Sequence, residues 1–286
     1  MEKMQNRRNF LKKVSVVAGL SQLPLPGWAE GFSTLLNLGV NPGGEFSLLK
    51  LEILLPAYQL PLVGKFSTGS FNSQFTHYNL YGNNAIKAGE LSLNSDGKGE
   101  IRQFDFTSSR LANSGIKERD QIFKYVVSGK VHCQNNMTLS PQKWNVASKI
   151  SLSDLGEPFG GSGLITAGEV REGELRLNTG GKEIRKSIGK VALSWKWGLI
   201  AVAQKMAEES STELQFAMLD EFDAFYKNQK MQFRRKVNLD CGNDRLIDFK
   251  VFELTGDGVI PAVYWVDNKN RTVFVVSGME AFILKT

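Results

Sequence analysis

Two cysteines and two histidines in 286 residues are too few for a closed zinc or iron–sulfur site, and no Cys-x-x-Cys is present. A mixed histidine/carboxylate site stays open; no bound metal and no cofactor are expected. No Gly-x-Gly-x-x-Gly lies between a strand and a helix, and no Gly-x-x-x-x-Gly-Lys-Ser/Thr occurs, so the dinucleotide and P-loop phosphate cradles are excluded. The richest glycine run, Phe159-Gly160-Gly161-Ser162-Gly163, follows Pro158 with no helix behind it and reads as a loop. A Gly-x-Ser-x-Gly elbow is missing too, as is the strand/helix alternation that an α/β-hydrolase needs. Beyond the first 30 residues no second long apolar run appears, so no membrane anchor is expected there. Neither a fixed-period repeat nor a low-complexity linker divides the chain.

What is present begins with an address. Lys3, Arg7, Arg8, Lys12 and Lys13 precede the mildly apolar run Val14–Leu25, and Gly27-Trp28-Ala29 stands before Glu30. That is the order of a positive n-region, an apolar core and a small-residue cleavage site. Arg7-Arg8 followed by Phe10-Leu11-Lys12 resembles a twin-arginine export signal, a receptor-read address. The apolar core falls short of the roughly 20 residues that span a bilayer. We therefore expect a signal peptide over 1–29, a Gly/Pro-punctuated leader over 30–44, and one β-rich domain over 45–286. The expected partner of the signal is the export machinery, and the expected location is periplasmic or secreted, with no stable membrane anchor after cleavage.

The address also accounts for most of the charge. The formal net charge is +6 with a pI near 9.2, which suggests a polyanion binder if taken whole. Residues 1–29 hold five basic side chains against Glu2 alone, a net of +4, so the remainder carries only +2. Arg234-Arg235-Lys236 reads as a solvated strand face, and no nucleic-acid partner is expected.

From Leu48 the chain alternates apolar and polar residues with period two. Leu48–Leu55, Phe71–Tyr81, Glu90–Leu93, Glu100–Phe106, Phe123–Cys133, Trp144–Leu152, Gly168–Arg171 and Glu174–Leu177 read as strands between turn signals such as Ser95-Asp96-Gly97 and Glu172-Gly173. One segment differs. Val191, Trp195, Leu199, Val202 and Met206 recur at spacings of three and four, which predicts an amphipathic helix from about Ser187 to Glu209. Glu213–Phe222, Met231–Val237, Arg245–Leu254, Val263–Val266, Arg271–Val276 and Ala281–Leu284 follow as strands. A lone helix in a β chain must bury its stripe on the sheet. The expected fold is mainly β: an antiparallel β-roll or incomplete β-barrel with one amphipathic helix packed against or inside the sheet.

Candidate chemistry is sparse. Asp220, Glu221 and Asp223 supply the carboxylates a glycoside hydrolase needs; a turn at Tyr226–Lys230 would instead set them beside Arg234, Arg235 and Lys236 as cross-strand ion pairs. His77, between aromatic neighbours in a strand, is a candidate base or ligand donor, or a satisfied polar group at a sheet rim; His132 sits on a polar face. Tyr78, Tyr81, Trp195, Trp197, Tyr264 and Trp265 are candidates for lining a pocket for a lipid-like or glycan ligand, with core packing as the alternative role. Cys133 and Cys241 both fall on apolar faces, so a disulfide and two separate buried thiols are equally consistent with the pattern.

Pro261-Ala262-Val263-Tyr264-Trp265-Val266-Asp267-Asn268-Lys269-Asn270-Arg271-Thr272-Val273-Phe274-Val275-Val276 resembles the closing hairpin of a family of exported bacterial β-rich proteins classed as a domain of unknown function. There, a Tyr-Trp-x-Asp turn with a following arginine leads into an apolar strand. Leu219-Asp220-Glu221-Phe222 and Asn228-Gln229-Lys230 are similar as well. The resemblance implies an antiparallel β-roll or incomplete barrel and brings no catalytic residues. The expected function is that of a ligand-binding or accessory protein for a lipid-like or glycan ligand. The alternatives are an extracytoplasmic carbohydrate-active enzyme and a partner subunit of an exported oxidoreductase.

Replacing Arg7 and Arg8 together by lysine keeps the charge and removes the guanidinium fork. Fractionation of cells expressing that variant should find the protein retained in the cytoplasm; unchanged export would reduce the segment to a general signal peptide.

Overall fold

The computed structural model describes residues 71–285 except 82–83, 97–98, 114–121, 153–162 and 241–245. The expected signal peptide with Arg7, Arg8, Phe10 and Leu11, the leader, the strand Leu48–Leu55, the glycine run from Phe159 to Ser162, and Cys241 lie outside the described residues. The described elements fall within one compact unit.

Strands β1 (Phe71–Tyr81), β2 (Asn84–Asp96), β3 (Ile101–Asn113), β4 (Ile122–Gln134), β5 (Pro141–Leu152), β6 (Leu164–Arg171), β7 (Glu174–Thr179) and β8 (Lys182–Ser187) form an antiparallel meander. After β9 (Leu193–Trp195) and helix α1 (Gly198–Glu208) come β10 (Glu213–Asp220), β11 (Ala224–Asp240), β12 (Leu246–Gly256), β13 (Ala262–Asp267), β14 (Thr272–Ser277) and β15 (Glu280–Leu284). These elements form a 15-stranded sheet in the order β8-β7-β6-β5-β4-β3-β2-β1-β15-β14-β13-β12-β11-β10-β9. The chain closes on itself where β15 pairs with β1, Phe75 opposite Leu284 and His77 opposite Phe282.

The expected mainly β roll or incomplete barrel with one helix is what the described residues form, and the topology says why it curls. The two edge strands, β8 and β9, are joined by residues 188–192 alone. Laid flat, the sheet would separate its edges by about 67 Å at ~4.8 Å per strand, whereas five residues reach about 20 Å. The sheet must roll. Edge strand β9 consequently tucks against the inner face, where Trp195 meets Phe104 at 5.6 Å and Phe106 at 5.7 Å between ring centroids.

The helix is shorter than its periodicity predicts. Gly189 turns the chain with φ 66°, Val191 is exposed, and Leu193–Trp195 pairs in parallel with Ala217–Leu219 of β10. Apolar residues at spacings of three and four were thus divided between a strand and a helix, so Trp195 belongs to β9 and Trp197 caps α1. Parallel neighbours cannot be joined by a tight hairpin, and α1 is the crossover that β9 and β10 require. Its buried residues, Gly198–Ala203, Met206 and Ala207, surround most of its circumference, as expected of a helix enclosed by a sheet rather than laid on it. Ser210 takes the left-handed conformation (φ 55°) that ends the helix, with the Ser211 N–H donating to Met206 O at 2.9 Å. Lys250 donates to Ala207 O, and Thr272 Oγ1 to Ile200 O at 2.8 Å, which ties α1 to β12 and β14.

The Tyr-Trp-x-Asp…Arg segment is a structural clamp. Asp267 accepts from the backbone N–H groups of Lys269 and Arg271 at 3.0 and 2.8 Å, and its other oxygen pairs with the Arg271 guanidinium at 2.6 and 2.7 Å. Both side chains are buried. Among the described residues no helix is long and apolar enough to cross a membrane.

Removing one member of a buried pair strands the other charge, at about 3–5 kcal/mol. Arg271→Met should lower the unfolding free energy by that amount in urea titration; a loss below about 1 kcal/mol, the range of exposed pairs, would show the clamp to be dispensable.

Candidate functional site

One row of side chains crosses the inner face near the end of the roll where β15 begins. Through the sheet register it runs Tyr264, Val275, Phe282, His77, Gly89, Arg110, Tyr125 and Ile150, from β13 through β15 and β1 to β5. Rows nearer the other end are more apolar, as in Phe104, Val131, Trp144 and Leu177. This row therefore carries more polar side chains than the Phe104 row.

His77 is 3% exposed and its ring stacks on Phe282 at 4.5 Å. Its Nε2 lies 3.7 Å from Glu280 Oε1 and has no hydrogen-bond partner. Burial pushes the imidazole pKa below its ordinary value; Glu280 opposes the shift, and the charges of Arg110 and Lys196 add to it. Phe282 also meets Trp197 edge-on at 5.2 Å, and Trp197 carries the Lys196 ammonium 5.1 Å from its ring centroid. These contacts link His77, Phe282, Trp197 and Lys196 into one stack.

Lys196 gathers the acids. Its Nζ is 2.9 Å from Asp220 Oδ1 and 3.6 Å from Glu221 Oε1. Burial works against the ammonium, but Asp220, Glu221 and Glu280 outweigh it and hold the lysine pKa above the ordinary value. Tyr264 lies beneath, fully buried, with its hydroxyl pKa raised by burial and then by Asp220. Tyr125 is raised likewise by burial and Glu221, while Arg110, 5.0 Å over its ring, opposes.

This corrects the expected partners of the acidic cluster. The turn is at Asp220–Asp223, not at Tyr226–Lys230: Asp220 pairs with Ala224, and the Asn228 region is a bulge within β11 with φ 55°. Arg234 pairs with buried Glu253. Asp220 and Glu221 meet Lys196 instead of Arg234, Arg235 and Lys236, because that turn places them beside the end of β9, while Asp223 acts on Tyr125.

The turn itself is unusual. Asp223 N–H donates to Asp220 O at 3.3 Å, and both central residues have positive φ, Glu221 at 48° and Phe222 at 63°. That backbone favours Asn-Gly, and holding bulky L-residues there costs about 1–2 kcal/mol each. Phe222 nonetheless points inward, 1% exposed, against Trp144 at 5.2 Å, Trp195 at 5.6 Å and Phe106 at 6.0 Å.

The remaining candidates are dispersed. Trp265 is fully buried on the opposite face of β13 from Tyr264, edge-on to Phe249 at 5.9 Å. Tyr78 is half-buried on the outer face, opposite Ala281, and the Tyr81 side chain lies outside the described residues. His132 is half-buried, facing away from Cys133. Cys133 is a free, buried thiol whose pKa is pushed up by burial, and Cys241 lies outside the described residues. Lys196, Glu280, Arg110 and Phe222 are not among the site residues expected from the sequence. An aromatic residue framed by three acids, Asp220-Glu221-Phe222-Asp223, was the signal available. Among the described residues no group of three histidine, cysteine or acidic side chains is placed to hold a metal ion.

In the solved structures, the chain is similar to a β-barrel-like protein of domain of unknown function DUF1849 from Brucella abortus. That likeness has 8% identity and a TM-score of 0.50 over 76% of this chain and 95% of that one. No protein-family model and no curated protein matches. The likeness supports the β-barrel-like fold and carries no site residue across.

Because His77 is held neutral, its contribution to stability is complete above the unfolded-state value of about 6.5 and is lost as pH falls below it toward the lowered folded value. Melting temperatures from pH 7.5 to 5 should fall less steeply for His77→Phe, which keeps the stack, than for wild type; identical slopes would remove His77 from the titration.

Proposed function

We propose that the protein is an exported, non-catalytic binding protein that takes an amphipathic, lipid-like ligand at the mouth of the roll. One observation carries this reading. Inner-face positions that should be covered are open on β5, β6 and β8: Ile150 is 46% exposed, Leu164 49% and Ile184 52%. Leu164 lies opposite Ser148, two residues before Ile150 on β5, and Ile184 continues the row of Trp144 and Leu177. An aliphatic strip whose Ile150 end adjoins Tyr125 and, through it, Arg110 suits a molecule with an apolar body and an anionic head, since a guanidinium binds carboxylate or phosphate through paired donors. A location outside the cytoplasm rests on Arg7 and Arg8 and is part of the proposal.

A glycan fits less well. Sugar rings stack on accessible aromatic faces, and Trp144, Trp195 and Trp265 are buried to 2% exposure or less. A hydrolytic reading also weakens. Two catalytic carboxylates need the substrate or a water between them, and Lys196 stands between Asp220 and Glu221.

Native mass spectrometry of the protein purified from its own cell envelope, followed by denaturing extraction, should find a co-purifying acyl species. A bound glycan, or an empty protein that oleate does not stabilise thermally, would overturn the reading.

A further inference from the structure

We propose that Phe222 is a removable plug: its ring fills, in the free protein, the inner site that the apolar end of an anionic amphiphile takes, and its turn swings outward when that ligand enters. The inference rests on the binding reading above and names how the site opens.

Three observations converge on this turn. The first is backbone strain without glycine. A β-turn with positive φ at both central positions is adopted readily by Asn-Gly, yet this chain places Glu221 and Phe222 there. Strain of this kind persists where surrounding contacts over-determine it and concentrates at switch regions and ligand clamps. The second is the seat of the ring. Phe222 is held by Phe106 of β3, Trp144 of β5 and Trp195 of β9; none of these belongs to its own hairpin. Phe222 lies beyond the last strand pair of the hairpin, Asp220 with Ala224, so the ring can leave without unpairing the strands. The Trp144 indole N–H is buried with no hydrogen-bond partner, a donor that a phenyl ring satisfies poorly and a ligand oxygen satisfies well.

The third observation is the latch. The turn is fastened by the pairs of Asp220 and Glu221 with Lys196, and all three side chains are a quarter to a third exposed. An incoming carboxylate or phosphate competes with Asp220 and Glu221 for that ammonium. Once Lys196 is engaged by the head group, the acids lose their tether, the strained backbone relaxes, and the apolar end replaces the phenyl ring between Trp144 and Trp195. No covalent step is involved.

The test uses oleate below its micellar concentration as the probe, with the full mature chain and tryptophan fluorescence as the readout. In wild type the observed association rate should reach a plateau with oleate concentration, because opening of the turn follows capture of the head group and limits entry of the apolar end. Phe222→Ala and Phe222→Gly should abolish the plateau and bind oleate at least tenfold more tightly, since the closed state no longer competes. The glycine variant also relieves the positive φ, so one variant stays folded if the other does not. Wild type that binds with a rate linear in oleate, or variants that bind equally or more weakly, would overturn the plug while leaving the binding reading standing. Failure of wild type and both variants to bind oleate would overturn both.

Discussion

The whole architecture depends on a short tether between two distant edges. Because β8 and β9 are consecutive in sequence yet terminate opposite ends of the sheet, residues 188–192 allow no flat arrangement. Rolling places β9 inside, and an inward edge must still find hydrogen-bond partners for its backbone. It finds them in parallel pairing with β10. Parallel pairing in turn demands a crossover of more than hairpin length, and the space enclosed by the roll is where that crossover fits. The helix, its burial on most sides, and the aromatic packing of Trp195 against β3 therefore follow from a single constraint rather than from separate propensities.

The same roll composes the mouth. His77, Arg110 and Tyr125 come from the first meander; Lys196, Asp220, Glu221, Tyr264 and Glu280 come from the second half of the chain. Electrostatics then decides what the cluster can do. A half-buried ammonium between two carboxylates is satisfied by them. An arrangement of this kind responds to a new anion by exchange of partners, and solvent access to all three groups keeps the exchange energetically shallow. Burial of His77 beside that cluster adds a neutral group that resists further positive charge, which keeps Lys196 and Arg110 as the cations facing the mouth from these strands.

Much of the fold was legible because period two is a local property. Phe71–Tyr81 matches β1 from end to end, and the closing strands were placed to within a residue or two. The helix was misjudged at its start because Val191 and Trp195 happen to continue the spacing of Leu199, Val202 and Met206, while the parallel partner that claims Trp195 lies over 20 residues away. The site was legible as residue types and not as contacts. Asp220, Glu221, His77, Trp197 and Tyr264 were all visible as chemistry, but which cation meets the acids depends on where a hairpin turns. Asn228 looks like a turn residue and serves a bulge. Phe222 was hidden for the converse reason, since its backbone contradicts local preference and only tertiary contacts hold it.

The position of the clamp explains why resemblance and function part company in this chain. Asp267 and Arg271 close the β13–β14 hairpin at the end of β13 away from Ala262, whereas Glu280, Lys196 and the Asp220–Asp223 turn lie at the other end of the roll. A buried carboxylate satisfied by two backbone N–H groups and a guanidinium specifies a hairpin wherever this sheet is built. It says nothing about the far mouth. Fold likeness to another β-barrel-like protein at 8% identity is compatible with any chemistry there, because sites are set by a few side chains grafted on a common frame. In this chain those side chains belong to a strained, glycine-free turn and a lysine set between two tryptophans in sequence. Both that strained turn and that lysine lie outside the hairpin that carries the motif, so the clamp can hold the roll whatever side chains stand at the mouth.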